Sequence, residues 1–197
     1  MPESTMLRFI QMLPQASPEG DFLLKDLPGS GKRIDILCRD LSACFDWAPL
    51  SWSKTQLAFI AVIGNEKTLT FRDPKEQIPS GEVGWASIIR ESLRGTPPSY
   101  VEVTEETLDD VVRKLKQSKR SKLWVLDEEG VLLSEFPNID LSTQNSFMLG
   151  DHRGFDSEAE RILSQHKIPR LSLGKKSYLS SHCLASLISE FERVAHE

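Results

Sequence analysis

Three features of the sequence predict an α/β fold built on a mainly parallel sheet. Apolar runs of strand length alternate with segments of helical periodicity along the chain. The run 56–64 is continuously apolar, as a mid-sheet parallel strand must be when both of its faces are covered. In the last quarter, two apolar runs stop at glycine-bearing loops, around Gly150 and Gly174. Ligands of α/β sheets bind beyond the carboxyl ends of strands, where such loops collect.

Taken in order, Met6 to Leu13 reads as the first strand and Pro14 to Gly20 as a loop of turn formers. The stretch Leu23 to Arg33 resembles the end of a P-loop but fails it. Asp26 stands where that motif needs glycine, and Arg33 where it needs Ser or Thr, so a nucleotide triphosphatase is rejected. Ile34, Leu37, Cys38, Leu41 and Phe45 recur at helical spacing and predict a helix over 34–47, with Cys38 and Cys44 as packing residues. Asp35 and Arg39 stand four apart on it, which fits either a surface ion pair or a polar pair facing a substrate.

Gln56 to Gly64 is the central strand, and Lys67 to Phe71 alternates like an edge strand. Glu82 to Arg94 has helical spacing and is stopped by Gly95-Thr-Pro-Pro98. Tyr100 to Val103 is a short strand. Thr104 is the expected start of a capping box before a helix that runs to about Gln117. The positive charge from Lys114 to Lys122 fits a cationic helix terminus that complements the dipole, or an RNA-backbone patch. Leu123 to Leu126 is a buried-type strand ending at Asp127-Glu-Glu-Gly130, with Val131 to Phe136 as a candidate hairpin return. Phe147 to Leu149 is a strand, Ser157 to Gln165 a helix capped by Asp156 or Ser157, and Pro169 to Leu173 the last strand. Leu184, Leu187, Ile188 and Phe191 make the apolar face of a terminal helix over 179–194.

With 197 residues, 39% apolar and 27% charged, the chain is expected to be one domain, 1–197, with an ample core. No apolar run reaches membrane-spanning length, and Met1 to Thr5 lacks the features of a signal peptide, so the expectation is cytoplasmic with no membrane partner. Three cysteines without a CxxC suit a reducing compartment, and no Cys/His cluster has metal-ligand spacing, so no metal is expected. A net charge of −5 disfavours a nonspecific nucleic-acid binder, though local basic clusters can still hold phosphate. Trp47, Trp52 and Trp85 are expected to offer apolar surface.

Five motifs then occur in order: Asp26-Leu-Pro-Gly-Ser, Arg33-Ile-Asp-Ile-Leu-Cys-Arg39, Leu149-Gly-Asp-His-x-Gly154, Leu171-Ser-Leu-Gly, and Ser181-His-Cys183. Together they resemble the archaeal tRNA pseudouridine-54 N1-methyltransferases, the TrmY family of SPOUT methyltransferases, over essentially the whole chain. The resemblance implies a SPOUT-type α/β fold with a C-terminal deep trefoil knot, the knotted, cofactor-binding part covering about 120–197. It implies S-adenosyl-L-methionine as methyl donor, tRNA as substrate and a homodimer with the active site near the subunit interface. Carried over by position, the donor contacts Leu126, Gly150 and Cys183, with Leu149, Gly154, Leu171, Leu173 and Leu179 as neighbours. Arg33, Asp35 and Arg39 are the candidate catalytic group, and Asp26, Asp35, Asp151 and His152 the candidates for removing the N1 proton.

Those residues carry local readings as well. Gly150 and Gly154 fit a tight turn into the next helix, Cys183 a small residue under the last helix, and His152 a loop cap. The chain departs from the family pattern at Gln11 to Pro14, where Lys and Asn are usual, at Asp127, where His is usual, and at Ser189 and Glu190, where His-Asn is usual. Other readings keep the donor but change the target to ribosomal RNA pseudouridine or another uridine, or keep the knot without catalysis. An open α/β nucleotide binder lacks support, because no GxGxxG occurs.

Overall fold

A computed structural model describes residues 6–47, 56–72, 74, 78–135 and 143–196. Its elements are β1 (Met6–Leu13), α1 (Ile34–Phe45), β2 (Leu57–Ile63), β3 (Lys67–Arg72), α2 (Gly81–Leu93), β4 (Val101–Thr104), α3 (Leu108–Gln117), β5 (Ser121–Leu132), β6 (Gln144–Leu149), α4 (Ser157–Gln165), β7 (Arg170–Ser172) and α5 (Ser180–His196). Seven strands form one sheet in the order β4-β3-β2-β1-β6-β5-β7. The pairs β1–β2, β1–β6, β5–β6 and β5–β7 are parallel. The pairs β2–β3 and β3–β4 are antiparallel.

Register sorts the side chains onto two faces, because successive residues of a strand point to opposite sides. Phe9 stands opposite both Phe59 and Phe147. This row lies under α1, α2 and α5 in the larger core, and Phe147 packs edge-on against Phe191 of α5 with ring centroids 5.8 Å apart. The alternate row, with Ile10, Ile60 and Met148, lies under α3 and α4. Helices thus cover both faces, which is why β2 is apolar at every position.

Several expectations change. Lys67–Arg72 is not an edge strand: β3 pairs on both sides, and the four-residue β4 is the edge. The capping box of α3 starts at Thr107, not Thr104. The Thr107 hydroxyl accepts from the backbone N–H of Asp110, whose carboxylate accepts from the N–H of Thr107. Trp85 is fully buried between Phe45 and Phe71 and offers no surface, whereas Trp47 is exposed and Trp52 lies outside the described residues.

Val131 does not begin a hairpin return. Leu126 and Val131 both stand opposite Leu171 in parallel register, so 127–130 bulges out and the strand resumes in the same direction. Phe136, the end of the expected hairpin, lies outside the described residues. Gly130 makes the bulge fit, because a Cβ there would lie 2.7 Å from the backbone of Arg170 and Leu171.

Candidate active site

The parallel strands β1, β5, β6 and β7 end on the same edge of the sheet, so the loops that follow β5, β6 and β7 meet there. With the start of α1 and of α5 they enclose a cleft of ≈ 710 Å³. Leu126, Leu149, Leu171, Leu173 and Leu179 give it an apolar lining, and Gly150, Gly154 and Cys183 complete the set predicted for the donor. Arg33 and Arg39 line the same cleft from α1. Asp35 is not on the wall but holds both of these arginines.

The turn after β6 is closed by two backbone hydrogen bonds, Asp151 N–H to Gly154 O and Gly154 N–H to Asp151 O, of 3.1 and 3.0 Å. A Cβ on Gly150 would stand 2.4 Å from the carbonyl carbon of Gly154, and Gly154 itself has φ +84°. The tight turn alone therefore requires glycine at 150, whatever binds beside it. Asp151 accepts the Arg153 N–H at 2.6 Å, and His152 stands 3.8 Å from its other oxygen.

Arg33 caps α1 in the left-handed region at φ 74°, directly after Lys32 at φ 48°. Two consecutive non-glycine residues there carry backbone strain. The result is a clamp. Arg33 donates to both oxygens of Asp35 at 3.0 and 3.1 Å, and Arg39 donates to one of them at 2.7 Å. Asp35 is buried, while the Arg33 and Arg39 side chains, both on the cleft wall, keep about a third of their surface exposed (34% and 35%). The hydrogen bond to Asp35 raises the Arg33 pKa above its ordinary value, and the charge of Asp151 adds to this. The Asp35 carboxylate thus accepts three hydrogen bonds and fixes the orientation of both arginines. Asp26 is exposed and spent on the N–H groups of Gly29 and Ser30, outside the cleft. Of the four proton-acceptor candidates, Asp151 and His152 are the ones on the cleft wall.

The opposite wall is acidic, with Asp127, Glu128 and Glu160. Arg170 of β7 bridges Asp127 and Glu160. Burial acts to raise the Asp127 carboxyl, but the Glu129 N–H and Arg170 outweigh it and hold it below its usual range. Asp127, noted in the sequence as replacing a histidine, is thus built into the β5–α4–β7 junction. Sequence reasoning missed Glu160, because nothing local marks a helix residue as reaching another strand's loop. It also missed Tyr178, whose signal was its place in the loop just before Leu179. The charge at Lys114 to Lys122 sits at the amino end of β5, the end of the strand away from the cleft. There Lys114 pairs with Glu106 and Lys116 donates to His166 O, which favours the structural reading of this cluster.

The Cys183 thiol is pushed up to about 11, by burial first and by the charges of Asp40 and Glu128 next. At pH 8 its alkylation by iodoacetamide should run on the order of 100-fold slower than that of a free cysteine, and speed up with pH beyond 10. Peptide mass analysis after timed labelling checks this, and fast labelling at pH 8 contradicts the burial described.

Apolar loops and a glycine turn at the carboxyl edge of a parallel sheet, with a rim of arginines, define an α/β protein shaped for a nucleotide-like ligand beside an anionic partner. A family described as "Putative SAM-dependent RNA methyltransferase" matches residues 6–194, and this chain belongs to that family. It is similar to the tRNA (pseudouridine(54)-N(1))-methyltransferase of Thermococcus kodakarensis, with 34% identity covering 91% of this chain and 96% of that protein. The Pyrococcus abyssi protein of the same name is 32% identical, covering 94% and 97%. Among solved structures, Archaeoglobus fulgidus Nep1 bound to S-adenosylhomocysteine aligns with a TM-score of 0.67 over 98% of this chain and 100% of that one. At 16% identity that likeness shows the fold alone.

Proposed function

We propose that the protein is an S-adenosyl-L-methionine-dependent methyltransferase acting on N1 of pseudouridine 54 in tRNA. The observation that carries this reading is the meeting of the leucine-lined loops with the Arg33–Asp35–Arg39 clamp in one cleft. The names of the curated relatives supply the target base.

The cleft residues fit the donor. Leu126, Leu171, Leu173 and Leu179 offer flat apolar contact for a purine, and the loop backbone offers donors and acceptors for its edge. Asp127 and Glu128 offer acceptors for hydroxyl and ammonium groups. When bound, S-adenosylmethionine supplies an electrophilic methyl group on a sulfonium. The protein's residues then do three things. Leucines exclude water from the reacting centre. Arg33 and Arg39, preset by Asp35, hold RNA phosphate or the exposed base, positioning N1 for an in-line approach. Asp151 or His152 accepts the N1 proton as the N1–C bond forms and the C–S bond breaks.

A deep trefoil knot over about 120–197 belongs to this reading. It rests on the family resemblance that the five motifs carry. A homodimer and a cytoplasmic location belong to it too. The family resemblance supports the dimer, which sedimentation would test. Free thiols at Cys38, Cys44 and Cys183 suit a reducing compartment. No helix among the described residues is long and apolar enough to cross a membrane.

The test is methyl transfer to tRNA carrying either uridine or pseudouridine at position 54, followed by nucleoside mass analysis. Transfer to pseudouridine alone is expected; equal transfer to both ends the pseudouridine assignment. Arg33→Ala should weaken tRNA binding roughly tenfold or more while donor affinity, read by calorimetry, stays within about twofold. Loss of donor affinity instead would contradict the role given to Arg33.

A further inference from the structure

A buried polar cluster lies directly behind the cleft. Asp40 of α1 and Gln11 of β1 are both 0% exposed. Asp40 Oδ1 accepts the Ser180 hydroxyl at 2.7 Å, at the first residue of α5. The Gln11 amide donates to Gly150 O at 3.4 Å and acts on the Asp40 carboxyl as well. The cluster therefore touches two of the loops that form the donor site: the Gly150 turn, and the head of α5 that carries Ser180, Ser181 and Cys183. Among the described residues, neither Asp40 Oδ2 nor Gln11 Oε1 has a hydrogen-bond partner. A polar oxygen left unpaired in the interior forfeits the hydrogen bonds that water would give it, so such a pair calls for an explanation. Both oxygens accept and neither donates. One proton on the carboxyl turns Oδ2 into a donor, in a cluster that has an acceptor to spare.

We propose that Asp40 is a positioning residue for the methyl donor: in its neutral form it ties the head of α5 to Gln11, and through Gln11 to the Gly150 turn, giving the cleft its binding shape. This rests on the donor site proposed above. Asp40 never touches the donor; it acts through Ser180 and Gln11. Burial pushes the Asp40 carboxyl up to about 7, against the opposing effects of Ser180, Arg39 and Gln11. Because this lies above the ordinary value of 3.8, the stabilisation is complete below 3.8 and is lost as pH rises through about 7. The ionised form leaves a buried charge with no counter-charge in contact among the described residues, eased only by the Ser180 hydroxyl and the Gln11 amide.

The charged and titratable groups around Asp40 are Arg39, Asp35, Cys38 and Cys44 on α1, and Cys183 on α5. From β1 comes only the uncharged Gln11. Arg39 favours the ionised carboxyl and Asp35 opposes it. Burial raises all three thiols, Cys183 to about 11, so they stay neutral where Asp40 titrates.

The experiment is calorimetry of S-adenosylhomocysteine binding to the full chain between about pH 6 and about pH 8.5, with thermal melting at each pH. Wild-type affinity is expected to fall about tenfold per pH unit above about 7. Asp40→Asn keeps an acceptor for Ser180 and adds a permanent N–H donor, so it should bind at every pH with a flat profile. Asp40→Ala should bind more weakly throughout. A flat wild-type profile overturns the inference and leaves the donor site standing. So does an Asp40→Asn profile that falls like the wild type, or a folded Asp40→Asn that fails to bind at low pH. No binding by the wild type at any pH overturns the donor site itself, and this inference with it.

Discussion

Asp35→Ala should lower kcat for methyl transfer by about 10²- to 10³-fold while donor affinity changes by less than about twofold. The carboxylate lies under Arg33 and Arg39 and accepts three charge-assisted hydrogen bonds from them. Without it, two guanidiniums of like charge share one side of the cleft and each is free to turn to solvent. The strained left-handed backbone at Lys32 and Arg33 loses the contact it serves. Nothing in the donor's apolar lining depends on Asp35, which is why binding and turnover should separate. Asp35→Asn, which keeps one acceptor, should fall between wild type and Ala. Single-turnover kinetics with saturating donor would check this. An unchanged kcat would show that the clamp serves only to hold α1, and lost donor affinity in a folded variant would place Asp35 in the wrong half of the cleft.

Gly150→Ala should abolish measurable donor binding, a loss of about 100-fold or more, and leave the protein folded. The added methyl meets the Gly154 backbone at 2.4 Å, and backbone atoms closed by two hydrogen bonds cannot step aside. The turn must open, and with it the floor of the cleft. The two core rows that hold Phe147 and Met148, on opposite faces of the sheet, lie before this point, so the sheet should survive. Gly154→Ala is the contrast. It has open space for a Cβ but φ +84°, so the cost is that of the left-handed conformation, about 1–2 kcal/mol, with donor binding retained. Calorimetry and thermal melting of the pair would decide. Equal donor binding by Gly150→Ala and wild type would remove the turn from the site.

Much of this was legible in the sequence, wherever a signal is local or periodic. The apolar run of β2, the faces of α1 and α5, and the Asp156 cap of α4, which accepts the Ala159 N–H at 2.8 Å, all follow from residues close together in the chain. Misreadings arose where neighbours in space decided the matter. Lys67 to Phe71 looks like an edge because it alternates, yet four-residue β4 covers it. Val131 looks like a hairpin return because Asp127 to Gly130 looks like a turn, yet β7 continues the parallel pairing past the bulge. Trp85 looked like surface, since no local pattern shows Phe45 and Phe71 closing around it.

By itself the sequence determined the α/β class, the order of the elements and the family, because hydrophobic periodicity, turn chemistry and short motifs are properties of consecutive residues. Only the tertiary structure decided which of those motifs share a cleft. Arg33 and Leu179 are far apart in the chain and meet because parallel strands deliver their loops to one edge of the sheet. It also decided that Asp35 lies buried beneath Arg33 and Arg39 and accepts three hydrogen bonds from them. The burial of Asp40 between β1 and α5 was visible only there as well. Both depend on which donors surround a carboxylate, and those donors come from packing across the fold.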